Sequence, residues 1–234
     1  LDADLYFFGP ASSVFAEQGD ASVGIVPHRF PARLAEMAKF GTFNVAWVSF
    51  RRDDSGMAAL DWWRDRCLEW CYDRPEDGRF ADQGYLDEFP RRFSNVKALE
   101  HPGINAAPWN LDGLKIERAE GVTCVGGRPL LFFHYQGVRE LMPYWFDPGL
   151  RPYDTPLTPA LRDLVYRPYL RRLAAEQRRL QQRLGILVTL GYQRLPVGNP
   201  WQWFQARVLA RWILPGYRRL RGRLLHCPPD GGTV

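Results

Sequence analysis

Short apolar runs alternate with stretches of helical period along this chain, and that alternation sets out most of its elements. The opening octet, Leu1-Asp2-Ala3-Asp4-Leu5-Tyr6-Phe7-Phe8, reads as a buried strand with two carboxylates at its end. Gly9-Pro10 breaks it, and Ala11–Gln18 follows as a short helix capped by Ser12 or Ser13. Residues 21–26 form a second apolar strand, and Ala32–Phe40 is amphipathic and helical. Residues 44–51 (NVAWVSFR) are so continuously apolar that a strand covered on both faces is expected. The clearest helix spans 57–72, where Leu60, Trp63, Cys67, Trp70 and Cys71 recur at helical spacing and predict core packing.

Residues 80–89 (FADQGYLDEF) predict a helix with Asp82 and Gln83 in its first turn, where the helix dipole favours a carboxylate. A strand at 96–99 precedes a hairpin of 114–118 and 122–125, and a third strand over 129–134 ends on His134. Residues 159–184 predict a long basic helix with Leu161, Leu164, Val165, Tyr169, Leu173, Leu180 and Leu184 on one face. It is expected to kink at Pro168 and stop at Gly185. A second basic helix is expected over 201–214, a basic run over 218–223, and a disordered Pro-Gly end over 228–232.

Charge splits this pattern in two. Residues 1–150 carry 16 Lys and Arg against 22 Asp and Glu, whereas residues 151–234 carry 15 arginines, no lysine and four acids. The division suggests one domain over 1–150 and an Arg-rich helical appendage over 151–234. Such a tail calls for an anionic partner. The tryptophans and arginines of 201–223 suit a membrane surface. Nucleic acid is not expected, because no recognition motif is present and the acidic first 150 residues repel phosphate. No apolar window of about 18 residues occurs, so a spanning helix is not expected. The expected location is cytoplasmic, peripheral at the inner face of the membrane. Cys67, Cys71, Cys124 and Cys227 are too few for a disulfide framework and read as buried free thiols. The chain opens without Met inside an apparent core strand, which suggests a fragment lacking its upstream part.

The candidate chemistry begins with the first carboxylates. In extended backbone Asp2 and Asp4 project to one face. Buried carboxylates are costly unless paired or bound to a cation, and oxygen donors suit Mg²⁺ or Mn²⁺. His28 and Arg29 follow the end of a strand, where open α/β sheets place ligands, and read equally as substrate contacts or as a solvated loop. His134 reads, from its surroundings alone, as a hydrogen-bonded core residue or a ligand.

Five motifs recur in a known order: Asp2-Ala3-Asp4, the run 44–51, Phe80-Ala81-Asp82-Gln83, the stretch 105–110, and Phe133-His134-Tyr135-Gln136-Gly137. Together they resemble the second half of a GT-A-type glycosyltransferase, in the glycogenin-like and lipopolysaccharide-galactosyltransferase-like branch. The resemblance implies an α/β fold, a partial GT-A-like mixed sheet flanked by helices, with the basic helical appendage after it. It implies Asp2, Asp4 and His134 as ligands of Mn²⁺ or Mg²⁺, and Asp82 and Gln83 as the pair beside the donor sugar. Asn44, Asn105, Trp109, Asn110 and Gly137 fall among the implied substrate contacts. The implied partners are a nucleotide-diphospho-sugar donor and a glycan or lipid-linked acceptor, in polysaccharide or cell-surface glycan synthesis. One departure stands out: no Lys-Pro-Trp follows His134-Tyr135-Gln136-Gly137, and Arg139 is the nearby cation, with a geometry unlike that of lysine. The alternative is a non-catalytic fragment or binding module whose basic tail meets an anionic partner, a membrane or a nucleic acid.

Overall fold

The carboxylate pair precedes the first strand instead of lying in it. That strand, β1, covers only Leu5–Phe7, and Ala3 and Asp4 form the turn before it. The computed structural model describes residues 1–142, 145–185 and 225–227, and they form a mixed α/β protein with several small sheets. The chain divides into two units, Leu1–Gln136 and Gly137–Val234. Residues 201–223, with the membrane contact expected there, and the expected disordered end over 228–232 lie outside the described residues.

In the first unit β1 is followed by α1 (Ala11–Gln18), β2 (Val23–Pro27), a 3-10 stretch at Ala32–Phe40, β3 (Phe43–Phe50) and α2 (Asp54–Glu69). A 3-10 turn at Gly84–Glu88 continues into α3 (Phe89–Arg92) and leads to β4 (Val96–Ala98). Four short strands close the unit: β5 (Ile116–Ala119), β6 (Val122–Val125), β7 (Arg128–Pro129) and β8 (Phe132–His134).

The central sheet has the order β3-β2-β4, with β2 antiparallel to β3 and parallel to β4. Strand alternation sends β2 side chains to two cores. Val23 and Ile25 pack with Ala59 of α2, Leu86 and Phe89, while Val26 packs with Val14 of α1, Trp47, Leu99 and Phe132. Each Val, Ile, Leu and Phe among them contributes about 1.5–3 kcal/mol when fully buried. The β2–β3 register slips between Ile25, opposite Val48, and Val26, opposite Asn44. This bulge in β3 fixes where Asn44 points.

Several local expectations change. α1 starts after Pro10 with no side-chain cap, and the Ser13 amide bonds to the Pro10 carbonyl instead. Ala32–Phe40 buries no residue. α2 is capped by Asp53, whose carboxylate accepts from the Gly56 amide at 2.8 Å. It ends at Glu69, so Cys71 lies beyond it and is exposed, and Cys67 is half-buried; only Cys124 and Cys227 are buried thiols. Asp82 and Gln83 sit in a turn before the Gly84–Glu88 helix, so no helix dipole explains the carboxylate. The expected strand over 129–134 divides, because Leu130 and Leu131 are both buried and interrupt the alternation. β7 pairs with β6, and β8 pairs with β1.

The second unit holds β9 (Arg139–Met142), β10 (Trp145–Asp147) and β11 (Leu225–His226) in one antiparallel sheet. Its long helix opens as a π segment, Leu161–Tyr166, and continues as α4 (Arg167–Leu184), ended by left-handed Gly185. The wider π turn shifts the phase of the helix. Leu161, Val165, Tyr166, Leu170 and Ala174 are buried, whereas Leu180 and Leu184 are 42% and 59% exposed. Pro168 follows directly on the π segment inside the continuous helical run, where the Arg167 amide still donates to the Arg162 carbonyl. Among the described residues no helix is long and apolar enough to cross a membrane.

Candidate metal centre

The β1–β8 ladder brings the two ends of the first unit together. Leu5 pairs with His134, and one step further the Tyr135 amide donates to the Asp4 carbonyl at 2.9 Å. Asp2 and Asp4 therefore meet His134 because the turn before β1 folds onto the end of β8, not through strand alternation. His134 Nε2 lies 3.1 Å from Asp4 Oδ1 and 3.6 Å from Asp2 Oδ2. One donor atom from each of the three residues falls within 4.8 Å of the others. His134 is buried and the carboxylates are half-buried.

The two acids are held differently. Burial raises the Asp2 carboxyl above its ordinary range, and Asp4 and Asp82 add to this while His134 opposes it. Burial also pushes Asp4 upward, but the hydrogen bond and charge of His134 outweigh it and leave Asp4 lowered. A set of two carboxylates and one imidazole fits a divalent ion such as Mn²⁺ well, and Mg²⁺ through its oxygens. Asp82 is close enough for its charge to act on Asp2, Cys67 and Cys71. Its carbonyl accepts from Trp63 Nε1 at 2.8 Å, which anchors the turn.

Behind His134 the sequence-named polar residues form one network. Trp109 packs edge-on against the His134 ring, with centroids 5.2 Å apart. Its Nε1 donates to the His28 carbonyl at 2.9 Å, as does Asn110 Nδ2, which also donates to the Asn105 carbonyl. Arg29 Nη2 donates to the carbonyls of Ile104 and Asn105 at 2.6 and 3.1 Å. The Ala106 carbonyl in turn accepts from the His134 amide at 2.8 Å. Arg29 thus supports the turn that carries β8, and burial lowers its pKa to about 10. Arg29 and Asn105 both adopt left-handed backbone, with φ of 55°.

Asn44 ties His28 to Gln83. The Ala46 amide donates to Asn44 Oδ1 at 2.8 Å, which orients the amide group. Asn44 Nδ2 therefore faces both Gln83 Oε1 and His28 Nε2, each at 2.9 Å. His28 must accept through Nε2, so its proton sits on Nδ1 and the ring is neutral. Burial pushes its pKa down to about 4, against the pull of the Thr42 and Gly41 carbonyls. Gln83 also accepts from the Val45 amide and donates to the Phe40 carbonyl at 2.7 Å.

The structure thus joins Asp2, Asp4 and His134, brings Asp82 within electrostatic reach, and gathers His28, Arg29, Asn44, Gln83, Asn105, Trp109 and Asn110 behind them. Gly137 belongs to the second unit. His28 Nδ1, Arg29 Nη1, Asn105 Oδ1 and His134 Nδ1 are buried with no partner in hydrogen-bonding geometry. Such atoms are uncommon in a core arranged for stability alone. Phe30, stacked 4.5 Å from His28, and Gly103, whose carbonyl accepts from the Leu131 and Phe132 amides, escape a sequence reading. A Pro-Gly turn signal at Pro102-Gly103 was the clue to the second.

Among curated proteins the chain is similar to two from Bacillus subtilis (strain 168), named only as the uncharacterized proteins YfnF and YfnD. YfnF is 37% identical over 147 residues, 59% of this chain and 48% of its own length. YfnD is 30% identical over 140 residues, 58% of this chain and 45% of its own length. The chain spans about half the length of these relatives. No family model matches the chain. No solved structure matches it.

Proposed function

We propose that this chain is the metal-binding part of a GT-A-type glycosyltransferase, which moves a sugar from a nucleotide-diphospho-sugar to a hydroxyl of a glycan or lipid-linked acceptor. The observation that carries this reading is the meeting of an Asp-x-Asp pair with a late histidine, 3.1 Å from Asp4. Asp2, Asp4 and His134 hold Mn²⁺ or Mg²⁺. A bound ion would neutralise charge developing on the diphosphate leaving group. Asp82, whose charge acts on Asp2, is the carboxylate that would bind donor-sugar hydroxyls or take the acceptor proton. Gln83 and Asn44 position that turn, since their amides are engaged with protein groups. Trp109 and Asn110 brace the His134 side, and Arg29 supports the turn beneath it.

Calorimetry of the full chain with UDP and GDP, each with and without Mn²⁺, tests this on wild type and Asp4→Ala. Nucleotide binding that needs Mn²⁺ and disappears in the variant supports the reading. Mn²⁺ binding with neither nucleotide recognised keeps the metal centre and overturns the donor assignment. No Mn²⁺ binding overturns both.

A further inference from the structure

The last turns of α4 combine cationic charge with apolar side chains left in solvent. Along α4, Arg167, Arg171, Arg172, Arg178, Arg179 and Arg183 stand against a single acid, Glu176. The local acids are already engaged: Asp163 pairs with Arg162 and Arg167, Glu176 with Arg172 and Arg179, and Glu140 of β9 accepts from Gln177 Nε2 at 3.2 Å. Positive charge is therefore in excess along the helix. Leu173, Leu180 and Leu184 fall on one stripe at helical spacing. Leu170 and Ala174 anchor the helix in its own unit, but Leu180 and Leu184 remain 42% and 59% exposed.

We propose that the C-terminal half of α4 is a contact element for an anionic lipid surface, with Leu180 and Leu184 entering the headgroup boundary and the flanking arginines meeting lipid phosphates. The proposal is independent of the transferase reading. Charge complementarity selects the partner, because guanidinium groups bind phosphate by paired hydrogen bonds while their alkyl stems lie along apolar material. The leucines separate a lipid surface from a nucleic acid, whose phosphates leave an apolar stripe no partner. A second copy of the same face would set arginines against arginines.

The test is sedimentation of the full chain with vesicles of phosphatidylcholine alone or mixed with phosphatidylglycerol, beside binding to a short DNA duplex. Wild type is expected to partition onto the anionic vesicles only, less so as salt rises. Arg179→Gln and Arg183→Gln each weaken partition about fivefold, as expected for one cation near an anionic surface. Leu180→Ser with Leu184→Ser lowers it about tenfold or more, and Leu184→Trp strengthens it. Circular dichroism of each variant checks that the helix persists. Unchanged partition of the double-leucine variant overturns the proposal. So does tighter binding to DNA than to anionic vesicles, or self-association that the leucine variant abolishes.

Discussion

His134 Nε2 lies 3.1 Å from Asp4 Oδ1, although the two residues stand at opposite ends of the first unit. The contact exists because β8 pairs with β1 in the register that sets Leu5 against His134. If these two acids and the imidazole hold an ion as proposed, its affinity depends on each donor. Asp4→Asn and His134→Gln should each lower Mn²⁺ affinity beyond the roughly 10–100-fold typical of outer-shell changes. Asp53→Ala, which removes the α2 cap in the same unit, should cost about 1 kcal/mol of stability and leave Mn²⁺ affinity unchanged. The signal of free Mn²⁺ in electron paramagnetic resonance measures this directly, and equal losses in all three variants would argue against a ligand role.

Trp109 touches His134 without offering a donor atom to the candidate ion. Its indole packs edge-on to the imidazole while its Nε1 holds the His28 carbonyl. Trp109→Leu should therefore reduce Mn²⁺ affinity roughly tenfold, as loss of an outer-shell support does, without abolishing binding. The same titration reads it, and full loss would mean that the residue holds the fold of the site and not only its ring.

The Asp-x-Asp pair, the strand at residues 44–51 and the late histidine were legible because short apolar runs mark strands even in a single sequence. What joins them was not. The role of Asn44 depends on a register slip that places it opposite Val26, and no local pattern announces a slip. The reason given for Asp2 and Asp4 sharing a face failed as well, since both precede the strand. Gln83 looked like a sugar contact, yet its amide is taken up by Asn44, Val45 and Phe40, partners brought close only by tertiary packing. The phase of the long helix was misread because a π segment adds a residue within one turn and moves every later leucine around the axis.

Neutral His28 makes acid stability a test of the Asn44 network. Its folded pKa, about 4, lies below the ordinary value of 6.5, so the unfolded chain binds this proton first. The stability it contributes is complete above pH 6.5 and is lost as pH falls from 6.5 towards about 4. The loss should amount to roughly 2–3 kcal/mol. Urea midpoints across that range should fall for wild type and flatten in His28→Gln. A His28 ring resonance that titrates near pH 6.5 by nuclear magnetic resonance would refute the assignment.

Asn44 and Gln83 should be strongly coupled. Asn44→Ala leaves His28 Nε2 without its partner and removes one of two donors to Gln83 Oε1, which should cost about 2–4 kcal/mol. Gln83→Ala removes one of the two partners of Asn44 Nδ2 and the donor to the Phe40 carbonyl. The double variant should cost less than the sum, with a coupling of roughly 0.5–3 kcal/mol in urea unfolding. Additivity would show that the two amides act independently.

Gly103 provides the sharpest link between backbone and site. Its carbonyl accepts from the amides of both Leu131 and Phe132, which sets where β8 begins and so where His134 ends. A Cβ at this position would collide with the Pro129 carbonyl oxygen, which is backbone and cannot swing aside. Gly103→Ala must therefore displace the turn or the start of β8. The expected result is a loss of about 1–3 kcal/mol, as for overpacking, together with weaker Mn²⁺ binding at temperatures where the variant remains folded. Gly113→Ala is the control, since nothing lies within 4 Å of a Cβ there and only its left-handed φ of 69° is strained. It should lose stability with Mn²⁺ affinity intact. If both variants keep wild-type affinity, the placement of His134 does not depend on the Gly103 turn.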